Sequence, residues 1–281
     1  MESNVASRLA TLGHPGRLAL FRLLMRRYPD LVAAGELAGA LEMPPSTLSA
    51  YLGALLRAGL ITQARRGTSR RYAIDMEEVR QTLDHLFLDC CRGRPELCPP
   101  VADFPFNGAS PMNERKYHVL FICSGNSARS IFAESILREA AGDRFEAFSA
   151  GTRPTSELNP FALEVLERHG HDTSRLRAKN VAEFQGAGAP AFDFVFTVCN
   201  RAANEECPAW PGQPVSAHWG MPDPVMAEGT QAEKSLAFRR AYTALRNRIG
   251  VFAALPIDSL DRLSLQKAVD EIGSQDAGTP A

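Results

Sequence analysis

The chain has 281 residues, long enough for two domains, with 45% hydrophobic and 22% charged residues, the balance of an ordinary soluble globular protein. No apolar run is long enough to span a bilayer and the N-terminus lacks a secretory signal's apolar stretch, so a cytoplasmic location without a membrane partner is expected. The net charge of −1 hides an asymmetry: residues 1–100 hold 13 arginines, no lysine and 10 acids, net +3, whereas the rest holds 18 basic and 22 acidic residues, net −4. Six cysteines in a chain of this size argue against a disulfide scaffold and point to reactive thiols or soft-ion ligands.

Residues 4–12 and 15–27 read as helices, with Leu18, Leu20, Phe21, Leu23 and Leu24 as an apolar stripe. Residues 35–41 form a short helix, and Met43-Pro44-Pro45 a turn. Ser46-Thr47 is expected to cap a second helix through Leu48, Leu52, Leu55 and Leu56, closed at Ala58-Gly59. Two short strands, 60–64 and 70–74, flank Arg65-Arg66-Gly67-Thr68-Ser69, giving a hairpin with a basic tip. A further helix covers about 75–90. Helix, tight turn, helix and a basic wing form a DNA-binding layout. Residues 44–74 carry five arginines and no acid, a modest nucleic-acid footprint. Ser46, Thr47, Ser49 and Tyr51 are the candidates for base edges or phosphates, and Arg65, Arg66, Arg70 and Arg71 for phosphates or a minor groove. Short helices of this kind also fill small α domains; the wing and its arginines weigh against that alternative.

Cys90, Cys91 and Cys98 place three thiols in nine residues just after the last helix. Soft thiolates exclude calcium and magnesium. Zinc would take a fourth ligand, which His85 can supply, whereas trivalent arsenic, antimony or bismuth needs only the three sulfurs. This half, including the Ser46–Ile61 run, resembles the ArsR family of winged-helix repressors. The resemblance implies operator DNA as partner, a homodimer through residues 4–12 and 75–90, and As(III) as the effector held by Cys90, Cys91 and Cys98. Arsenite would then shift the population away from the DNA-bound form. Residues 99–114, with Pro99, Pro100, Pro105, Gly108 and Pro111, read as a linker.

The second half opens with an apolar strand, Tyr117–Ile122, then Cys123-Ser124-Gly125-Asn126-Ser127-Ala128-Arg129-Ser130 and a helix. Backbone N–H groups of residues 124–129 and the helix start can cradle a tetrahedral oxyanion, with Arg129 forking two donors onto it. The same field is expected to lower the Cys123 pKa, and Ser130 to donate to the thiolate. Gly125 and Asn126 suit a left-handed turn. A bare C-x5-R occurs often by chance; the strand, turn and helix around this one agree with it. Phe145–Ser149 and Asp193–Val198 read as further strands, Pro160 opens a helix, and residues 231–254 and 258–272 are closing helices. Strands alternating with helices imply a parallel sheet flanked by helices, with Cys123 and Cys199 at carboxyl strand ends.

Residues 115–273 resemble the low-molecular-weight protein tyrosine phosphatase fold and, within it, ArsC-type arsenate reductases. The resemblance rests on Cys123–Ser130, Ser149-Ala150-Gly151-Thr152, Phe196-Thr197-Val198-Cys199 and His218-Trp219-Gly220-Met221-Pro222-Asp223-Pro224. It implies that Asp223 is the general acid, that Cys199 and Cys207 relay oxidation from Cys123 to a disulfide, and that thioredoxin, glutaredoxin or a small thiol is the reductant. Ala128 stands where some relatives carry a second cysteine, which leaves the donor open. Glu134 and Ser149 match positions that hold potassium in some relatives.

The expected architecture is therefore an N-terminal winged helix-turn-helix, α with a β wing, and a C-terminal α/β domain with a parallel four-stranded sheet flanked by helices. Residues 1–98 would bind DNA, dimerise and carry the cysteine cluster. Residues 99–114 would link, 115–273 reduce arsenate, and 274–281 form a disordered tail. Two alternatives remain: a phosphatase fused to a metalloid-responsive regulator, which does not need Cys199, and an oxyanion sensor without turnover.

Overall fold

The computed structural model describes residues 2–91, 115–186, 188–205 and 210–274. They form two compact units, one on each side of residues 92–114.

The first unit contains α1 (Glu2–Leu12), α2 (Pro15–Arg26), β1 (Val32–Ala33), α3 (Ala34–Ala40), α4 (Pro45–Arg57), β2 (Ile61–Arg66), β3 (Ser69–Ile74) and α5 (Met76–Asp84). Leu20, Leu23 and Leu24 of α2 bury one stripe against Leu37 of α3 and Leu48, Leu52 and Leu55 of α4. Leu18, expected in that stripe, is 41% exposed. β2 and β3 pair antiparallel from Ile61↔Ile74 to Arg66↔Ser69. The two-residue β1, which no periodicity marked, pairs with β3 at Val32↔Tyr72.

Two expectations fail here. Ser46 and Thr47 do not cap α4; the helix starts at Pro45 with Pro44 as its N-cap residue, and no side chain caps it. Proline at the first helical position has no N–H to satisfy and a φ already suited to the helix, so Pro45 favours the start one residue earlier. The helix expected over 75–90 changes type. Asp75 caps α5 by accepting from the Glu78 N–H, but His85–Cys90 winds as a π-helix, and the Cys91 N–H reaches back to Leu86 O at 2.9 Å. A π-turn is rare and recurs at functional positions.

The second unit contains β4 (Tyr117–Cys123), α6 (Arg129–Ala141), β5 (Phe145–Gly151), α7 (Pro160–Arg168), β6 (Phe194–Thr197), α8 (Asn200–Asn204), β7 (Val215–His218), α9 (Gln231–Ala253) and α10 (Arg262–Ser274). Its four strands are parallel in the order β5-β4-β6-β7. Val119, Leu120, Phe121 and Ile122 of β4 are fully buried, the continuous apolar run of a central strand covered on both faces. The Trp219 ring stacks on Phe196 at 4.1 Å and its indole N–H donates to Val269 O at 3.0 Å, so the segment after β7 is packed and hydrogen-bonded at once. β7 and the short α8 were not read from the sequence.

Candidate active site

Cys123 is the last residue of β4 and Arg129 the first of α6. Between them, Asn126 takes the left-handed conformation (φ 47°) and donates its N–H to Cys123 Sγ at 3.1 Å. Gly125, expected to share that conformation, does not. The tight glycine is Gly151, where a Cβ would lie 2.6 Å from Ser124 O and 3.0 Å from Asn126 Cβ. The segment after β5 holds the loop by its carbonyls: Thr152 N–H donates to Cys123 O at 3.0 Å, Arg153 N–H to Ser124 O at 2.9 Å, and Asn159 N–H to Ser127 O at 3.0 Å. With those carbonyls engaged, the amide edge of residues 124–128 is the one suited to an oxyanion.

Ser130 Oγ lies 2.9 Å from Cys123 Sγ. Asn126 Nδ2 donates to Ser130 Oγ at 2.8 Å, which directs the Ser130 hydroxyl proton to the sulfur. The same amide donates to Ser149 Oγ at 2.9 Å, and Ser149 donates to the buried Glu134 carboxylate. Lys179, which no motif singled out, completes this network. Its N–H donates to Asn126 Oδ1 at 2.7 Å and its ammonium to Glu134 Oε2 at 2.9 Å. Arg138 also binds Glu134. The potassium position implied by resemblance therefore does not fit a cation here: the Glu134 charge is already matched by covalently attached ones.

Arg129 is 7% exposed and donates to Asp223 Oδ2 at 2.5 Å and to Met221 O at 3.4 Å. Asp223 Oδ1 accepts from the Val225 N–H at 3.1 Å, capping the turn Pro224–Met226. The buried Arg248 of α9 donates to Trp219 O at 3.0 Å and fixes the root of this loop. The structure thus brings Cys123, Ser124, Asn126, Arg129, Ser130 and Asp223 together.

Cys199 is 1% exposed and is the N-cap residue of α8, its Sγ accepting from the Ala202 N–H at 3.3 Å. Ser124 Oγ stands 3.5 Å from Cys199 Sγ, at the mouth of the Cys123 loop. The expected drop in the Cys123 pKa is not found. Burial pushes the Cys123 thiol up, and Cys199 beside it adds to this; Ser130 and Arg129 pull it down without prevailing. Cys207 lies outside the described residues.

In the first unit, Ser46 and Ser49 of α4 and Arg65, Arg66 and Arg70 of the wing are exposed, and Thr47 is half-buried. Two DNA-contact candidates are engaged elsewhere. Tyr51 packs on His14 with ring centroids 5.0 Å apart, and a Cβ at Gly16 would lie 2.5 Å from its ring. Arg71 donates to Leu31 O at 3.2 Å, which joins β3 to the segment before β1. Cys90 is exposed and Cys91 half-buried at the end of the π-turn; Cys98 lies outside the described residues. The His85 ring faces Asp89 at 3.3 Å.

A thiol ending a parallel strand, an oxyanion loop and a buried arginine at the next helix start define a cysteine-dependent α/β domain of phosphatase type. The sequence model of the low molecular weight phosphotyrosine protein phosphatase family matches residues 118–263, more than half of the chain, and the chain belongs to that family. A helix-turn-helix domain model matches residues 12–64, so the chain is a fusion of the two. Among its relatives are the arsenate reductases of Halalkalibacterium halodurans and Bacillus subtilis, 36% and 35% identical over 135 residues, which cover 48% of this chain and 94% of each relative. Among solved structures, an Archaeoglobus fulgidus arsenate reductase superposes with a TM-score of 0.40 at 23% identity, covering 49% of this chain and 99% of that one.

Proposed function

We propose that the chain reduces arsenate to arsenite through a thiol relay and that its N-terminal domain is an arsenite-responsive DNA-binding repressor. The observation that carries the first part is a second buried thiol, Cys199, beside the first residue of the oxyanion loop. A phosphatase has no use for it. In this reading the Cys123 thiolate attacks arsenic while Asp223 protonates the departing oxygen. Cys199 then attacks Cys123 Sγ. The S–As bond breaks, its electron pair stays on arsenic as As(III), and a Cys123–Cys199 disulfide remains. Cys207 passes the oxidation outward to thioredoxin, glutaredoxin or a small thiol.

The repressor part is supported by the fold of residues 12–64, by three exposed wing arginines, and by Cys90 and Cys91 at the end of an irregular helix. Leu9 of α1 and Met76 and Leu83 of α5 are each about two-fifths exposed, apolar surface that a homodimer through these helices would cover. Arsenite bound by Cys90, Cys91 and Cys98 would shift the dimer away from its operator.

The test is arsenate-dependent NADPH oxidation by the full chain, with the thioredoxin and glutaredoxin systems supplied separately. Turnover that is lost in Cys123→Ser and Cys199→Ser supports the relay. Aryl phosphate hydrolysis that needs Cys123 alone, with no arsenate-dependent oxidation, favours the phosphatase reading instead. Arsenite-induced release of DNA, abolished in Cys90→Ser/Cys91→Ser, tests the sensing half.

A further inference from the structure

α8 has only five residues and starts one position after the second thiol. So short a helix does not hold its own position and needs an external anchor. Ala202 and Ala203 bury against the core, and one polar anchor is His218, the last residue of β7, which is 2% exposed. Its Nε2 lies 3.2 Å from Asn200 Oδ1, and its Nδ1 lies 2.8 Å from Thr197 Oγ1. An amide oxygen only accepts, so Nε2 carries the hydrogen and donates to Asn200, while Nδ1 bonds the Thr197 hydroxyl. Thr197 and Asn200 bracket Val198-Cys199. One buried ring therefore ties down the chain on both sides of the thiol. Gly220 leaves room for this: a Cβ there would lie 2.4 Å from His218 Nε2 and 2.6 Å from Asn200 Oδ1. Arg248 fixes the Gly220 carbonyl at 3.3 Å, so that strand end has no freedom to yield.

The two contacts differ in kind. Thr197 belongs to β6 and is held anyway by the Trp219 N–H donating to its carbonyl at 2.8 Å. Asn200 is exposed and lies on the segment that leads towards Cys207.

We propose that His218 and Asn200 form a latch that positions Cys199 at the Cys123 loop. His218 and Asn200 are positioning residues; neither reacts. The proposal rests on the arsenate-reductase reading. The step they serve is attack of the Cys199 thiolate on Cys123 Sγ, which forms the S–S bond and breaks the S–As bond. Arsenate is the oxidant, the two thiols supply two electrons, and the proton lost by Cys199 ends on an arsenite oxygen.

Two readouts on the full chain separate the latch from the reading beneath it. The first is alkylation of Cys199 by iodoacetamide, followed by peptide mass spectrometry with Cys123 as internal control. The second is single-turnover arsenite release without added reductant. Asn200→Ala, made at an exposed position, should raise Cys199 alkylation by about tenfold and slow arsenite release by about as much, with Cys123 alkylation unchanged. His218→Ala should act alike, His218→Gln should recover part of the loss, and Gly220→Ala should match Asn200→Ala. The Asn200→Ala/His218→Ala double variant should be no worse than His218→Ala, because the contact that Asn200→Ala removes is already lost there. Unchanged Cys199 alkylation in Asn200→Ala, or an equal change at Cys123, overturns the latch. No arsenite from the wild-type chain overturns the reductase reading instead, whatever the alkylation shows.

Discussion

The Arg129 guanidinium and the Asp223 carboxylate are bonded to each other at 2.5 Å. One is the cation of the oxyanion loop and the other its candidate acid. An oxyanion entering the loop competes with Asp223 for Arg129. Burial, ahead of the neighbouring Cys199, is what keeps Cys123 from being acidified by Ser130 and Arg129.

Asp223→Asn should therefore split two properties that usually move together. Thiolate formation at Cys123 should shift to lower pH, because Arg129 is released towards the sulfur. Turnover of substrates with poor leaving groups should fall by roughly 10²–10⁴-fold, because the acid is gone. Thiolate absorbance against pH reads the first and steady-state kinetics the second. A Cys123 titration that does not move would show that Asp223 leaves the Arg129 field intact.

Ser130→Ala removes the hydroxyl that Asn126 aims at Cys123 Sγ. A hydrogen bond to a charged group contributes about 1.5–3 kcal/mol, so kcat/KM should drop by roughly 10–100-fold with little change in KM. Thiolate formation should move to higher pH. A large rise in KM at unchanged kcat would place the hydroxyl in ground-state binding instead.

Lys179→Met strips the ammonium from the buried Glu134. Arg138 and the Ser149 hydroxyl remain on that carboxylate, so the loss should be roughly 2–3 kcal/mol, below that of a fully orphaned buried charge. Lys179→Met/Glu134→Gln should recover most of it, since the charge and its partner then leave together. Urea unfolding of the four proteins closes the cycle. A double variant less stable than Lys179→Met would mean that Glu134 matters mainly through Ser149 and Arg138.

Asp270 of α10 is half-buried, and burial pushes its carboxyl up to about 6 from 3.8, with the Gln266 amide pulling the other way. The folded chain therefore keeps a proton that the unfolded chain releases near pH 3.8. Stability contributed by this group falls as pH rises between about 4 and about 6, and stays lost above that. Asp270→Asn should raise Tm at neutral pH and change little near pH 4. An equal rise at both would assign the gain to packing rather than to charge.

On the wing, Arg65→Ala, Arg66→Ala and Arg70→Ala should each flatten the dependence of log Kd on log salt by about 0.9 if each meets one phosphate. Arg71→Ala should leave that slope unchanged and lower thermal stability, because its guanidinium holds Leu31 O. Fluorescence anisotropy with operator DNA over a salt series distinguishes the two classes.

The chain's local patterns determined much of this protein. The apolar run before Cys123 and the six-residue spacing to Arg129 are consecutive-residue signals, and a strand, loop and helix follow from them by short-range physics. The helix pair and basic wing are legible for the same reason. What tertiary structure alone decided are the relations between residues far apart in the chain. Lys179 carries no motif, yet it neutralises Glu134 because β5 and the segment after α7 meet behind the Cys123 loop. Arg71 and Tyr51 read as exposed candidates by position, but β1 and α2 supply partners that no periodicity announces. The Cys123 loop looks acidifying in sequence, whereas burial and the neighbouring Cys199 oppose that field. Burial and ion pairing depend on which segments pack together, and one-dimensional spacing does not contain that information.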